Sequence, residues 1–479
     1  MSMQQGVQVN IFRRSIHLPV FAVITLMVLL GFGLRLFNLE FAGLWIDEIH
    51  SAVGSDPDKT IAQVIEYCKR DQPPLFFLML HSWFKIFPYN DFSGHILVVI
   101  IGTLSIIAIY FTGREWKNDS VGLVAAFLTT INYFHVDASR QVRFYPLVFL
   151  LSALSYLFFL RILKKKKGKD FLFYIISTSA LLNTHYFGMV VFASQFLIFA
   201  IIIFWKRISD VKFLAYSILS GIITGLSFLH WMPVVISDLG ISQFHAQKLS
   251  WYFPALFHWV YFRDIITAII CAMLAFLALR EIFLSVRRRQ LSEEQVVLLG
   301  WIGFGFLIPL LYSLLRMPML EYKYTFITLP GLFILMSTGF DSLKVKNLKL
   351  LTLIVLFLSF HVNALFIKPI YRAKPFEEWR EVTQEVLKTD HENQVVFSQY
   401  AWYYRYYFKI LKSIHQPLEP GYADFKSWLD RSEKVWVLTS TRFPDAGLSL
   451  DQEKMLKENF RLEKELTYTD TKAKYYLRR

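Results

Sequence analysis

Charge is scarce in this chain. Asp, Glu, Lys and Arg make up 18% of its 479 residues, where a soluble globular domain carries about a quarter. The deficit argues against a soluble enzyme of this length. Cysteine is nearly absent. Cys68 and Cys271 are the only two, Cys271 lies inside an apolar block, and no disulfide framework or zinc-ligand spacing can be built from them. No GxGxxG run is present, so a nucleotide-binding fingerprint is missing. No internal repeat is visible. The N-terminal stretch has basic residues and then an apolar run without a small-x-small cleavage site. It reads as a retained first span.

Apolar residues are abundant: 55% of the chain is hydrophobic and 17% aromatic, with a mean hydropathy of +0.40. They fall in long blocks, and a bilayer core needs about 20 apolar residues per helical span. Eleven spans are predicted, at 17–36, 94–112, 120–137, 146–163, 170–184, 188–205, 212–229, 263–285, 295–314, 323–340 and 348–367. The expected fold class is therefore an α-helical polytopic membrane protein.

The net charge of +14 does not point to nucleic acid, because the basic residues sit in short clusters between apolar blocks. Positive loops belong on the inner side, and this decides the status of PLFFLMLHSWFKIF, residues 74–87. Left out of the span count, it puts Arg13/Arg14, Arg114/Lys117, Lys164–Lys167, Lys206/Arg207, Arg287–Arg289 and Lys344/Lys346 on one side. Counted as a span, it moves Lys164–Lys167 opposite Arg13/Arg14. It is thus predicted as a helix lying in the outer interface. The preceding SDPDKTIAQVIEYCKRD predicts a second in-plane helix, with Asp56 as N-cap, Pro57 at its first position and Ile61, Val64, Ile65 and Cys68 on one face. The expected division is a transmembrane domain over 1–367, whose outer loop 37–93 holds these helices, and an extracytoplasmic domain over 368–479. In the latter, FEEWREVTQEVLKTD has an amphipathic helix pattern, and QVVFSQY and KVWVLTS have strand length. The tail reads as a small α/β domain, the N-terminus as cytoplasmic and the C-terminus as extracytoplasmic.

Most outer loops carry little charge, so the exceptions are informative. Asp47, Glu48 and His50 follow the first span in LWIDEIHSA. Paired acids there suit a general base or metal ligands, or simply a solvated helix end. Arg140 and Arg143 stand in HVDASRQVRFYP, followed by Tyr145 and Pro146. On a helix the two arginines would share a face. Guanidinium groups grip phosphate in a bidentate way, so they read as a clamp for a lipid headgroup; the plainer reading is snorkelling beside anionic lipids. RMPMLEYKYTF brings Arg316, Glu321 and Lys323 to the same side. Lys323 would help hold a phosphate or merely pair with Glu321. His185 and Tyr186 in NTHYFG stand where interface anchors are common. The loop 230–262 is rich in aromatics and holds His230, His245 and His258 at a spacing that matches no metal motif. It reads as a membrane-hugging flap.

Taken in order, Asp47-Glu48, QPPLFFLML at 72–80, SRQVRFYP at 139–146, THYFG at 184–188 and EYKYTFITLP at 321–330 resemble the GT-C glycosyltransferases of family 39, the protein O-mannosyltransferase-like group. The resemblance covers roughly residues 17–367 and leaves the tail aside. It implies an inverting glycosyltransferase in the plasma membrane, typically bacterial. Such an enzyme moves a sugar from a polyprenyl- or dolichyl-phosphate carrier to an acceptor hydroxyl of a glycan, lipid or protein on the outer face. By that resemblance Asp47 is the base and Glu48 supports it. Arg140, Arg143, Tyr145 and Lys323 lie near the carrier phosphate. His50, Gln72, His185, Tyr186 and Glu321 fall in the substrate pocket. Members that transfer aminoarabinose to lipid A carry Lys-Pro where this chain has Gln72-Pro73, which points away from that substrate.

The chemistry suits the residues. Glycosyl transfer passes through an oxocarbenium-like transition state. A carboxylate takes the acceptor's proton and stabilises the positive charge, while cations stabilise the departing lipid phosphate. A divalent metal, Mg or Mn, is a further candidate for the latter task, although no dedicated cage is visible. A lipid carrier brings activated sugar laterally where no nucleotide sugar is expected. The rival readings are a transporter or flippase, which would place charge near the midplane, a polymerase or ligase of lipid-linked glycans, and a non-enzymatic receptor.

Overall fold

The computed structural model describes residues 6–11, 14–69, 72–238, 264–316, 321–367, 369–372, 374, 377–389, 394–413, 416–420, 425–442 and 447–479. A hairpin of β1 (Gly6–Ile11) and β2 (Arg14–Pro19) precedes α1 (Val20–Leu36). Then follow α2 (Ile46–Gly54), α3 (Ile61–Cys68), α4 (Leu75–Ile86), α5 (Asp91–Trp116), α6 (Asp119–Ile131), α7 (Tyr133–Ala138), α8 (Tyr145–Lys165), α9 (Gly168–Leu182), α10 (Gly188–Lys206), α11 (Val211–Leu226) and α12 (Met232–Asp238). After the stretch 239–263 come α13 (Ile265–Arg287), α14 (Glu293–Leu315), α15 (Leu329–Ser342) and α16 (Lys346–Val362). The tail holds α17 (Trp379–Val386), β3 (Gln394–Ser398), α18 (Ala401–Ile410), α19 (Phe425–Arg431), β4 (Lys434–Ser440), α20 (Leu450–Asn459), β5 (Phe460–Tyr468) and β6 (Thr471–Arg478).

Each of the eleven predicted blocks falls on a helix. Among the described residues, seven helices are long and apolar enough to cross a membrane, while α1, α6, α9 and α15 are shorter. Two predicted spans need correction. The block 120–137 breaks at Asn132, whose side chain accepts from the His135 N–H at 2.9 Å and starts α7 afresh. The block 323–340 opens as a 3₁₀ turn, Tyr322–Ile327, before α15. The segment 74–87 is the 12-residue helix α4, too short for a straight span. The helix expected after Asp56 starts at Ile61 instead of Pro57. Asp56 instead closes a turn, accepting from Asp58 N–H at 2.9 Å. Val64 and Cys68 are buried, whereas Ile61 is exposed.

Two compact units emerge: Met1–Phe37, Ile61–Met79 and Ile96–Ile370 form one, and Asn38–Thr60, Leu80–His95 and Tyr371–Arg479 form the other. In the helical unit, the basic helix ends gather as the charge count predicted. Lys117 pairs with Asp341 at 2.7 Å, Lys164 with Glu294 at 2.9 Å, Lys166 with Asp210 at 2.9 Å, and Arg161 reaches Glu115 and Asp170. The ends of α5, α8, α9, α11, α14 and α15 thus share one end of the unit. A satisfied polar network ties α8, α9 and α10: Ser155 and Thr178 hydroxyls at 2.7 Å, Gln195 Nε2 donating to Ser155, and Tyr174 donating to Gln195. Helices α13 and α15 meet at Gly339, where a Cβ would stand 1.8 Å from the Leu274 carbonyl oxygen.

The other unit carries a four-stranded sheet of order β3-β4-β6-β5. β3 and β4 are the two predicted strands and pair in parallel, and the hairpin β5–β6 completes the sheet. Its core joins Val395, Phe397, Val435 and Val437 to Phe425, Leu429 and Phe460.

Candidate functional site

Opposite its basic end, the helical unit brings together segments far apart in sequence. The C-terminal carbonyls of a helix lack partners within it. Those of α6 are met by Arg35, fully buried, which donates to Thr129 O at 2.9 Å and to His135 Nδ1 at 2.9 Å. Those of α1 are met by Arg140, whose Nη1 donates to Arg35 O at 2.9 Å and Phe37 O at 2.6 Å. Arg140 and Arg143 lie in the turn between α7 and α8, so the helical face imagined for them does not exist. Instead the turn points them to different tasks. Arg140 closes a helix end. Arg143 is buried at 6% exposure, with its guanidinium 4.7 Å from the Phe144 ring.

Around Arg143 stand three more of the predicted segments. The His185 ring lies 4.8 Å from Phe144 and 5.3 Å from Tyr324. Tyr145 is buried and lies 5.8 Å from Phe326. Phe76, just after Gln72-Pro73-Pro74, meets Phe144 edge-on at 6.2 Å, and Leu75 N–H donates to Asn183 O at 2.8 Å. The 3₁₀ turn is fixed from behind: the Ile327 carbonyl accepts from Ser152 Oγ at 2.7 Å and from Trp301 Nε1 at 2.8 Å, and Trp301 stacks on Tyr156. Burial raises the Tyr324 phenol, with Tyr145 and Glu321 adding to the effect. Burial, with Arg143 nearby, pulls the His185 imidazole down to about 3. Lys323 pairs with Glu321 at 3.3 Å, as the plainer reading held. Tyr186 accepts from Trp231 Nε1 at 3.4 Å, which makes it an anchor for that turn. Gln72 is buried, and its Oε1 has no hydrogen-bond partner among the described residues.

The acidic motif belongs to the other unit. Asp47 and Glu48 occupy the first turn of α2, where the helix dipole favours carboxylates. Glu48 is buried and committed: Oε1 meets His95 Nε2 at 3.0 Å, and Oε2 accepts from Trp45 N–H at 3.3 Å. Asp47 is half-buried. Helix α18 of the tail flanks α2, with Trp402 5.9 Å from His50. Burial raises the Tyr403 phenol, and Asp47 is the next cause. The loop leading into α2 is held by Tyr407, whose hydroxyl accepts from Leu44 N–H at 2.6 Å and donates to Asp91 at 3.2 Å. Tyr406 and Arg380 also reach Asp91, at 3.0 and 3.5 Å. Among the described residues, no three His, Cys, Asp or Glu side chains form a metal-binding group. Both oxygens of Glu48 are thus engaged, by His95 and by the Trp45 N–H.

Sequence reasoning missed Arg35, Asp91, His95 and Tyr324. An arginine inside an apolar run was the signal for Arg35. The others gave none. His230 lies on a 3₁₀ turn, Leu229–Trp231. Residues 239–262 of the aromatic loop, with His245 and His258, and the Arg13 of the first basic cluster lie outside the described residues.

Residues 71–231 match the family model described as dolichyl-phosphate-mannose-protein mannosyltransferase. Among curated proteins, sequence comparison finds no match. ArnT from Cupriavidus metallidurans in the apo state superposes with a TM-score of 0.62 at 10% identity, covering 95% of this chain and 97% of that one. ArnT bound to undecaprenyl phosphate gives 0.58 at 11% identity, with the same coverage. The Archaeoglobus fulgidus oligosaccharyltransferase in the apo form gives 0.52 at 11% identity, covering 88% of this chain and 69% of that one. At such identities the likeness speaks to the fold. The chain is thus a multi-pass membrane protein with the GT-C glycosyltransferase fold, and over residues 71–231 it matches the dolichyl-phosphate-mannose-protein mannosyltransferase family.

Proposed function

We propose that this protein is an inverting glycosyltransferase that moves a sugar from a polyprenyl-phosphate carrier to an acceptor hydroxyl on the outer face of the membrane. The observation that carries the reading is the meeting of four separate segments, 72–76, 139–146, 183–188 and 321–327, around the buried guanidinium of Arg143. A buried guanidinium walled by aromatics suits a phosphate that arrives on a lipid. ArnT, of the same fold, has been crystallised with undecaprenyl phosphate.

In this reading Arg143 holds the carrier phosphate, with Tyr145 and Lys323 beside it and Arg140 fixing the turn from behind. Gln72, His185, Tyr186, Glu321 and His50 serve the substrate pocket. Asp47, half-buried in the first turn of α2, is the general base. The acceptor oxygen attacks the anomeric carbon and its proton passes to Asp47. The bond from the anomeric carbon to the phosphate oxygen breaks, and its electron pair leaves on the lipid phosphate, whose charge Arg143 stabilises. Asp47→Asn keeps the shape and removes the base. It should lower transfer by about 10²-fold or more while binding undecaprenyl phosphate as the wild type does. Transfer at the wild-type rate by purified Asp47→Asn protein would show that the base lies elsewhere.

A further inference from the structure

His185 sits in the turn between α9 and α10 and is 3% exposed. Its Nδ1 accepts from the Phe187 N–H at 3.0 Å. That bond uses the Nδ1 lone pair, so in the neutral ring the proton is on Nε2. Nε2 makes no hydrogen bond to any described residue. A buried donor without an acceptor is unfavourable, and a bound acceptor removes the penalty. The ring is walled by Phe144, Tyr324 and Phe187, at 4.8, 5.3 and 5.6 Å, and Arg143 lies over the same Phe144. The turn itself is pinned by Leu75 N–H on Asn183 O and by Gly188 N–H on His185 O, both at 2.8 Å.

Resting on the carrier reading above, we propose that His185 donates a hydrogen bond from Nε2 to the carrier phosphate, as a neutral imidazole locked in one tautomer. It does not act as a proton-donating acid. The departing lipid phosphate is a stable anion, so it needs a fixed N–H and a guanidinium, and His185 keeps its proton throughout. Burial and Arg143 both oppose an imidazolium at this position. Among the described residues, the titratable and charged groups facing the ring are Arg143 and Tyr324, with Tyr145, Glu321 and Lys323 around Tyr324.

The test is the affinity of the purified full chain for undecaprenyl phosphate at pH 5.5, 6.5 and 7.5, in wild type, Arg143→Ala, His185→Gln and His185→Leu. Gln presents an N–H donor near the Nε2 position; Leu presents none. His185→Leu should bind about 10- to 100-fold more weakly, His185→Gln within about threefold of wild type, and the ratio of wild-type to Gln affinity should be the same at all three pH values. Leu binding like wild type, Gln binding as weakly as Leu, or a ratio that climbs as pH falls would overturn the proposal. If Arg143→Ala weakens binding and His185→Leu does not, only the role of His185 is lost. If the wild type itself does not bind undecaprenyl phosphate, the carrier reading goes with it. A readout independent of folding in the variants is ¹⁵N NMR of the wild-type imidazole. It should show Nε2 protonated without lipid and an Nε2–H shift on adding undecaprenyl phosphate; no shift contradicts the assignment.

Discussion

Tyr407→Phe removes one oxygen from the tail and should loosen the acidic helix. The hydroxyl is buried and accepts from Leu44 N–H at 2.6 Å, two residues before α2 begins. Without it that N–H has no such acceptor, at about 1–3 kcal/mol. Asp91 loses one donor but keeps Tyr406 and Arg380, which adds roughly 1–2 kcal/mol. The sum is about 3 kcal/mol, acting on the loop and first turn of α2. Amide hydrogen exchange followed by mass spectrometry reads this directly. Opening of residues 44–54 should become about 100-fold more frequent, while the sheet β3-β4-β6-β5 keeps its protection. Transfer should fall through kcat more than through carrier affinity, because the perturbation lies beside Asp47 and Glu48. Unchanged exchange over 44–54 would refute the idea that the tail holds this helix in place.

Acid should destabilise the protein through His185. Its folded-state pKa of about 3 lies below the ordinary 6.5, so as pH falls the unfolded chain takes the proton first. The stability tied to the neutral ring is complete above about pH 6.5 and declines toward pH 3, by about 2 kcal/mol at pH 5. The melting temperature of the wild type should therefore fall more than that of His185→Gln between pH 7 and pH 5, and parallel curves would contradict this. Gly339→Ala should lower the melting temperature sharply, since a methyl group cannot stand 1.8 Å from the Leu274 carbonyl unless α13 and α15 separate. An unaltered melt would mean the two helices are not packed as described.

Spans, loop charge and tail class were legible because each rests on a long or repeated signal. Apolar length located the seven described helices long enough to cross a membrane, and the positive-inside count placed Lys117, Lys164 and Lys166 at one end, where Asp341, Glu294 and Asp210 meet them. Helix starts were less legible. Asp56 and Asn132 can each cap a turn or a helix, and which they do is decided by packing beyond the local sequence. The site was half legible. The motifs at 72–80, 139–146, 184–188 and 321–330 named the segments that meet, while the shared helical face weighed for Arg140 and Arg143 does not form, because 139–144 is a turn. Nothing in the sequence tied Tyr406 and Tyr407 to the loop before α2, because that pairing joins segments at opposite ends of the chain and has no period or motif.

The most direct test of the account is mass spectrometry of the lipids that stay bound when the protein is purified from its membrane, for wild type and Arg143→Ala in parallel. The account predicts a polyprenyl phosphate, alone or bearing a sugar, on the wild type and its depletion from Arg143→Ala. Bulk phospholipid alone on the wild type, or equal polyprenyl phosphate on both proteins, would contradict it.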